Sequence, residues 1–287
     1  MRLLKRIPLW GWAVVLLGLL VGLFFIPGGH KATFDVSGEF ILHPIIRLPK
    51  LGPIDLSVTK AVIYEWIAVG VIVVVALVIH RGLSPRPSRF QTIVESLYEL
   101  AHDGIAGAVM KGEGAVTWFP YIGSAFFFVL MCNVVGLIPL PFGTGHQLAF
   151  YAATGNINVT ITLAALTFVF THYAGIRQKG PVGYFKSWVI PAPPFLKQFI
   201  FLSDVISQIF RLVSLSVRLF ANMLAGHFIL AVFFAMVLVF QSYLIGVVLQ
   251  VGSVAVFLFE IFVAVIQAFI FAILSAVYIG SALEEEH

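Results

Sequence analysis

Between Ser214 and His227 the chain reads SLSVRLFANMLAGH, which sets Arg218, Asn222 and His227 inside a long apolar run. Asp204 precedes them, and Glu260 and Gln267 stand in a second apolar run downstream. Ionisable side chains at such places are rare and mostly functional, because charge is expensive in hydrocarbon. The chemistry open to them is proton movement and charge compensation. His227 and Glu260, on two different helices, make a proton relay if they face a wet cavity, since environment can bring their proton affinities close together. Arg218 poses another question. On its own helix Asp204 is 14 residues away, roughly 21 Å along the axis, and Glu260 has His227 to answer. A guanidinium without a resident counter-ion suits a carboxylate that arrives and leaves on another subunit, and its positive field favours the ionised form of that carboxylate.

Helical periodicity orders these residues. With Arg218 as origin and 100° per residue, Asp204, Ser207, Arg211, Ser214, Asn222 and Ala225 fall within roughly 40° of it, while Ile229 and Val232 continue that face as apolar residues. His227 comes out on the opposite face. In the second run Ser253, Glu260, Gln267 and Tyr278 share a face with Ala264 and Phe271 between them. Two helices therefore each carry a polar stripe, and small residues beside Arg218 permit close approach of a further helix. Each polar residue also has a plainer use. Asn222 and Gln267 serve equally well as interhelical hydrogen bonders, and Asp204 has Arg211 seven residues on, on its own face.

The elements that must position these side chains are membrane helices. The 287 residues are 60% hydrophobic and 10% charged, with a mean hydropathy of +1.04, which excludes an ordinary soluble domain. Long unbroken apolar runs are not the alternating pattern of a membrane barrel, so the fold class is all-α and polytopic. Spans are predicted over about 61–80, 117–140 and 157–175. Two proline-free stretches of roughly 40 residues follow, Ile200 to Ser242 and Leu244 to Ala282. At 1.5 Å per residue each is roughly 60 Å long, about twice the hydrocarbon thickness. Either each breaks, for example at Gly226 or Gly246, or the pair lies strongly tilted as a hairpin. Between the first two spans, residues 90–110 repeat apolar side chains at Phe90, Ile93, Val94, Leu97 and Leu100, with Glu95, Glu99 and Asp103 off that face. That pattern predicts an amphipathic helix lying at the interface.

Lys and Arg counts set the topology. Arg2, Lys5 and Arg6, then Arg81, Arg86 and Arg89, then Arg177, Lys179, Lys186 and Lys197 fall on one side if each run crosses once, and that side is the cytoplasm. Loop 141–156 opposite has no Lys or Arg. The run 1–27 has the basic start of a signal peptide, but no small-x-small cleavage site follows it, which favours a retained anchor. Residues 1–60 thus divide from a membrane domain over 61–287, with 28–60 an exposed segment. Cys132, the one cysteine, excludes an intrachain disulfide and suits a small core residue. The scattered basic residues form no nucleic-acid patch, and nothing resembles a phosphate-binding loop.

Two other classes fit less well. A secondary transporter binding an anion at Arg218 calls for inverted repeats with broken helices, and none is apparent. A metal-dependent intramembrane hydrolase at His227 and Glu260 lacks a His-x-x-x-His spacing or an evident third ligand.

The stretch SLSVRLFANMLAGH resembles the signature of subunit a of F-type ATP synthases, the stator subunit that conducts protons past a rotating c-ring. RFQTIVESLYE (89–99), NVVGLIPLP (133–141), TGNINVTITLAALTFV (154–169) and VIQAFIFAILSAVYIG (265–280) are similar to further landmarks of that family, in the same order. The likeness covers about residues 60–287. It implies that Arg218 is the essential arginine facing the ring carboxylate between two aqueous half-channels, that Asn222 is its polar neighbour, and that Gln267 lies opposite on the last helix. It further implies that His227 and Glu260 belong to the periplasmic half-channel and Asp204 to the cytoplasmic one. Some members carry Glu at the first and His at the second of the paired positions, the reverse of this chain. Many have Asp in place of Asn156, some have an acid in place of Gly136, and a common proline is replaced by Leu212. The resemblance implies a non-catalytic subunit without cofactor or metal. Its implied partners are c-ring subunits, b-type peripheral stalk subunits and the rest of the synthase, in a bacterial inner membrane with the C-terminus cytoplasmic.

Overall fold

The computed structural model describes residues 44–47, 49, 57–83, 87–110, 112–138, 151–187, 193–240 and 243–283. The apolar run 1–27, most of 28–60, Arg86 and most of loop 141–156 lie outside the described residues. Two short strands, β1 (Pro44–Ile46) and β2 (Val58–Thr59), pair antiparallel with an irregular register. They lead into α1 (Lys60–Gly82). Then come α2 (Arg89–Glu99), a π-helical turn over Leu100–Gly107, α3 (Glu113–Gly136), a 3-10 turn over Ala153–Gly155, α4 (Ile157–Lys179), the short α5 (Pro181–Ser187), α6 (Pro194–Phe240) and α7 (Tyr243–Leu283). Five of these helices, α1, α3, α4, α6 and α7, are long and apolar enough to cross a membrane. The all-α polytopic expectation is met.

Local chemistry marks the ends. Asn156 caps α4 by accepting from the Asn158 amide at 3.0 Å, and Arg177 and Lys179 in the last turn complement the helix dipole. Gly180 then leaves the helix at φ 72°, a conformation open to glycine at little cost. α3 stops at Gly136, earlier than the expected end at 140. Pro139 and Pro141 explain the difference, since a proline has no N–H to continue the ladder and biases its predecessor away from helix.

The two long runs are helices of 47 and 41 residues, and neither Gly226 nor Gly246 breaks them. They form an antiparallel hairpin: Arg211 meets Tyr278, Gly226 meets Glu260, and Phe233 meets Gly252. At roughly 70 and 60 Å, these helices exceed the hydrocarbon thickness. α7 packs on α3 and α6, while α4 contacts both α6 and α7. The buried face of α7 sets Ala264, Ala268, Ala272 and Ala276 four residues apart, and the last three share a core cluster with Ile122, Phe126 and Val129 of α3. In lipid no hydrophobic drive pulls helices together, so such small columns act by letting backbones approach. Hydroxyls add direction. Thr160 pairs with Ser216 at 3.1 Å, and Thr167 pairs with Ser275 at 3.2 Å and with Tyr121 at 2.6 Å.

The amphipathic segment is not one continuous α-helix. Ser88 caps α2 by accepting from the Gln91 amide at 3.2 Å, but the ladder widens to a π-helix from Leu100. The widened turn buries Ala101, Ile105 and Ala106 against the bundle, whereas Phe90 and Ile93 of the expected apolar face point outward. The apolar face is thus divided between protein and surroundings.

Candidate functional site

His227 and Glu260 are each only 3% exposed. His227 Nδ1 lies 3.7 Å from Glu260 Oε1, while Nε2 lies 3.2 Å from the Gly136 carbonyl oxygen. A carbonyl only accepts, so Nε2 carries a hydrogen and donates. In a neutral ring Nδ1 is then a lone pair facing a carboxyl group. Two acceptors at that distance repel, and one further proton, on the carboxyl or on Nδ1, turns the contact into attraction. Among the described residues no hydrogen bond reaches either oxygen of Glu260.

Close backbone approach holds this geometry. A Cβ on Gly136 would lie 2.5 Å from Ala152 Cα, and one on Gly226 would collide with the Glu260 carboxylate. Glycine at 136 therefore lets the 151–155 segment press on the end of α3, and an acid there has no room. The same segment is tied by Thr154 Oγ1, which donates to Asn133 Oδ1 at 2.5 Å. Asn133 in turn donates to the Ala264 carbonyl at 3.3 Å. Thr154 and Asn133 are completely buried, as befits polar groups that satisfy one another.

A cavity of about 270 Å³ lies between α6 and α7, and Asn222, Gly226, Glu260 and Gln267 are among its lining residues. Its volume admits several waters. It brings together three of the expected site residues, Asn222, Glu260 and Gln267, and reaches His227 through Glu260.

Arg218 is placed differently. It is exposed, and its guanidinium donates to Ser214 Oγ at 3.4 Å. Among the described residues no carboxylate lies within ion-pair distance. Ser207, Ser214, Asn222 and Ala225 are exposed along the same face, with Asp204 and Arg211 half-buried. The expected alternative pairing of Asp204 with Arg211 does not form. Seven residues are roughly 10 Å of helix rise, and Arg211 instead lies over the Tyr278 ring at 5.3 Å, a cation–π contact.

Residues 62–280 match the ATP synthase A chain family. The chain is similar to ATP synthase subunit a of Rubrobacter xylanophilus, 38% identical over 85% of this chain and 91% of the relative. It is also similar to ATP synthase subunit a of Chlorobium phaeobacteroides, 36% identical over 89% of this chain and 72% of the relative. The chain belongs to the ATP synthase A chain family. It is a multi-pass membrane protein of that family, and its family-like landmarks now have positions. NVVGLIP ends α3 against the 151–155 segment, and the glutamine of VIQAFIF lines the α6–α7 cavity.

Sequence reasoning did not find three contributors to the site. The Gly136 carbonyl is backbone and leaves no side-chain signal beyond a glycine. Gly226 is marked only by being a glycine beside His227 in an apolar helix. Asn133 stands inside a landmark but is joined to Thr154 by tertiary packing that no spacing reveals.

Proposed function

We propose that this chain is the proton-conducting stator subunit of an F-type ATP synthase. Protons from the periplasmic side reach the cavity at His227 and Glu260 and neutralise a carboxylate of a c-ring subunit. The ring turns, and Arg218 favours release of the proton towards Asp204 and the cytoplasm. Asn222 and Gln267 hydrogen-bond water and the passing carboxyl beside the cavity. The driving force is about 2.3 kcal/mol per charge per 100 mV. The subunit itself performs no ATP chemistry, which resides in partner subunits. A b-type peripheral stalk holds it, and its C-terminus is cytoplasmic. α6 and α7 lie strongly tilted, because helices of their length do not stand upright in a bilayer. α2 lies at the interface with Phe90 and Ile93 towards lipid.

The observation that carries this reading is the contrast between Arg218 and the His227–Glu260 pair along one helix. Nine residues, roughly 13 Å of rise, separate an outward guanidinium, with no carboxylate in ion-pair reach among the described residues, from a buried His–Glu pair. On the other side Asp204 stands roughly 21 Å away. One weak hydrogen bond, worth about 1 kcal/mol, does not offset the cost of a guanidinium in a membrane, about 2.5–3.5 kcal/mol or more. The balance is met by an anion on a neighbouring subunit. The arginine then also blocks a proton from running straight between the two half-channels.

The test is ATP-driven proton pumping and ATP synthesis in membranes carrying Arg218→Ala. Both are expected to vanish while the complex still assembles. Normal pumping by that variant would sink the mechanism.

A further inference from the structure

α1 also holds an intramembrane acid. Lys60, His80 and Arg81 stand at the ends of this helix, but Glu65 lies inside it, five residues from Lys60 and roughly 7 Å into the span. Glu65 is four residues after Ala61 and three before Ala68, both buried against the protein, whereas its neighbour Trp66 is exposed. The side chain therefore flanks the protein-facing stripe of α1 and is itself half-buried. No hydrogen bond or ion pair to its carboxylate is formed among the described residues. A carboxylate so placed is costly, and no described residue pairs with it.

The surroundings lead inward. The charge of Glu65 acts on Tyr151. The Tyr151 ring lies edge-on to Tyr64 with centroids 5.9 Å apart, and Lys60 Nζ lies 4.9 Å from its centre. Burial first, and then the Glu65 charge, push the Tyr151 hydroxyl up and keep it neutral. Ala61, Tyr64, Ala68, Cys132, Val135, Tyr151 and Ala153 form one apolar cluster, so Glu65 sits level with the last turns of α3. One helical turn after Cys132 the Gly136 carbonyl holds His227. Residues 151–154 join the two places: Tyr151 beside Glu65, Ala152 against Gly136, Thr154 bonded to Asn133.

We propose that Glu65 is the outer proton-accepting group of this subunit, taking protons from water on the side where α1 begins and passing them around the end of α3 to His227 and Glu260. Only O–H and N–H bonds change: water protonates the Glu65 carboxylate, and the proton leaves by intervening water for the buried pair. Glu65 thereby supplies an acid that the packing of Ala152 forbids at position 136. This inference rests on the proton-conducting reading above.

Two measurements test it. In a Cys132→Ala background, Glu65→Cys is exposed to the membrane-impermeant thiol reagent MTSES in vesicles of each orientation. Modification is expected from the side where α1 begins and not from the other. Absence of labelling from that side overturns the proposal, and this result does not depend on proton transport. In the otherwise natural chain, Glu65→Gln is expected to lower ATP-driven proton pumping at least fivefold and Glu65→Asp to restore most of it. Glutamine keeps the shape and hydrogen-bonding ends of glutamate, so a merely structural role predicts unchanged pumping, and that outcome refutes the proposal. If Arg218→Ala pumps normally, the parent reading falls instead, and the labelling result still reports whether water reaches Glu65.

Discussion

On α6 the polar stripe of Ser207, Ser214, Arg218, Asn222 and Ala225 faces outward, whereas on α7 Ser253, Glu260 and Gln267 face inward and are buried. The outward stripe holds its charge with one long hydrogen bond to Ser214. The inward one is walled in by Gly226 of α6 against the Glu260 carboxylate, and His227 of α6, which faces Glu260, is itself held by the Gly136 carbonyl. The difference separates two requirements of charge in a membrane. A group that must meet a moving partner needs access and keeps few local contacts, whereas a group that must hold a proton in place needs close walls. The outward stripe should therefore tolerate changes of shape and fail on changes of charge. The buried pair should fail on both.

The sharpest way to break this comparison is to add one methyl group. Gly136→Ala puts a Cβ against the Ala152 backbone, which cannot rotate aside as a side chain can. Overpacking of this kind costs about 1–3 kcal/mol, and the shift carries the Gly136 carbonyl away from His227. Proton pumping is expected to fall more than tenfold, together with a lower thermal midpoint of the detergent-solubilised complex. Ser214→Ala, on the outward stripe, removes only the 3.4 Å contact and is expected to leave pumping within about twofold, since surface changes away from special features are small. Comparable losses in the two variants would erase the distinction.

Next in size is the coupling within the pair. His227→Ala and Glu260→Ala should each reduce pumping about tenfold or more, and the double variant should be no worse than the poorer single one, because each removes the same shared proton. Multiplied losses in the double variant would show that the two residues act separately, despite the 3.7 Å approach. A smaller effect is expected at Arg211, whose ring contact with Tyr278 ties α6 to α7. Arg211→Met keeps the stem and loses the cation. About 1 kcal/mol of stability should disappear, seen as a lower unfolding midpoint, with pumping retained.

Much of the hairpin was legible in the sequence, because membrane helices satisfy their own backbone and write their lengths as apolar runs. Arg218, Asn222, His227, Glu260 and Gln267 all stood out as polar exceptions to those runs. Which face meets what was not legible. The wheel put His227 opposite Arg218, but that Glu260 stands before it, and that Gly136 answers from behind, follows from α3 and the 151–155 segment packing across the hairpin. The alternative pairing of Asp204 with Arg211 is absent for a similar reason, since Arg211 lies over the Tyr278 ring of the other helix. The π-turn in the amphipathic segment was likewise hidden, because widening of a helix depends on docking of Ala101 and Ile105 rather than on period. Side-chain spacing reports one helix at a time, while the site belongs to three.

The smallest predicted effect tests how much of the buried region is scaffold. Thr160 of α4 meets Ser216 of α6 at 3.1 Å, two residues before Arg218 and on the side turned away from it. Polar pairs between membrane helices contribute about 0.6 kcal/mol on average, because the unfolded chain in lipid also finds partners. Thr160→Val keeps the shape and removes the hydroxyl, so the unfolding midpoint should fall slightly and proton pumping should stay near the natural level. If pumping falls sharply instead, the rotation of α6 about its own axis depends on this one hydroxyl. The outward aim of Arg218 would then be enforced from behind by α4, and the tolerance ascribed to the outward stripe would end at its buried edge.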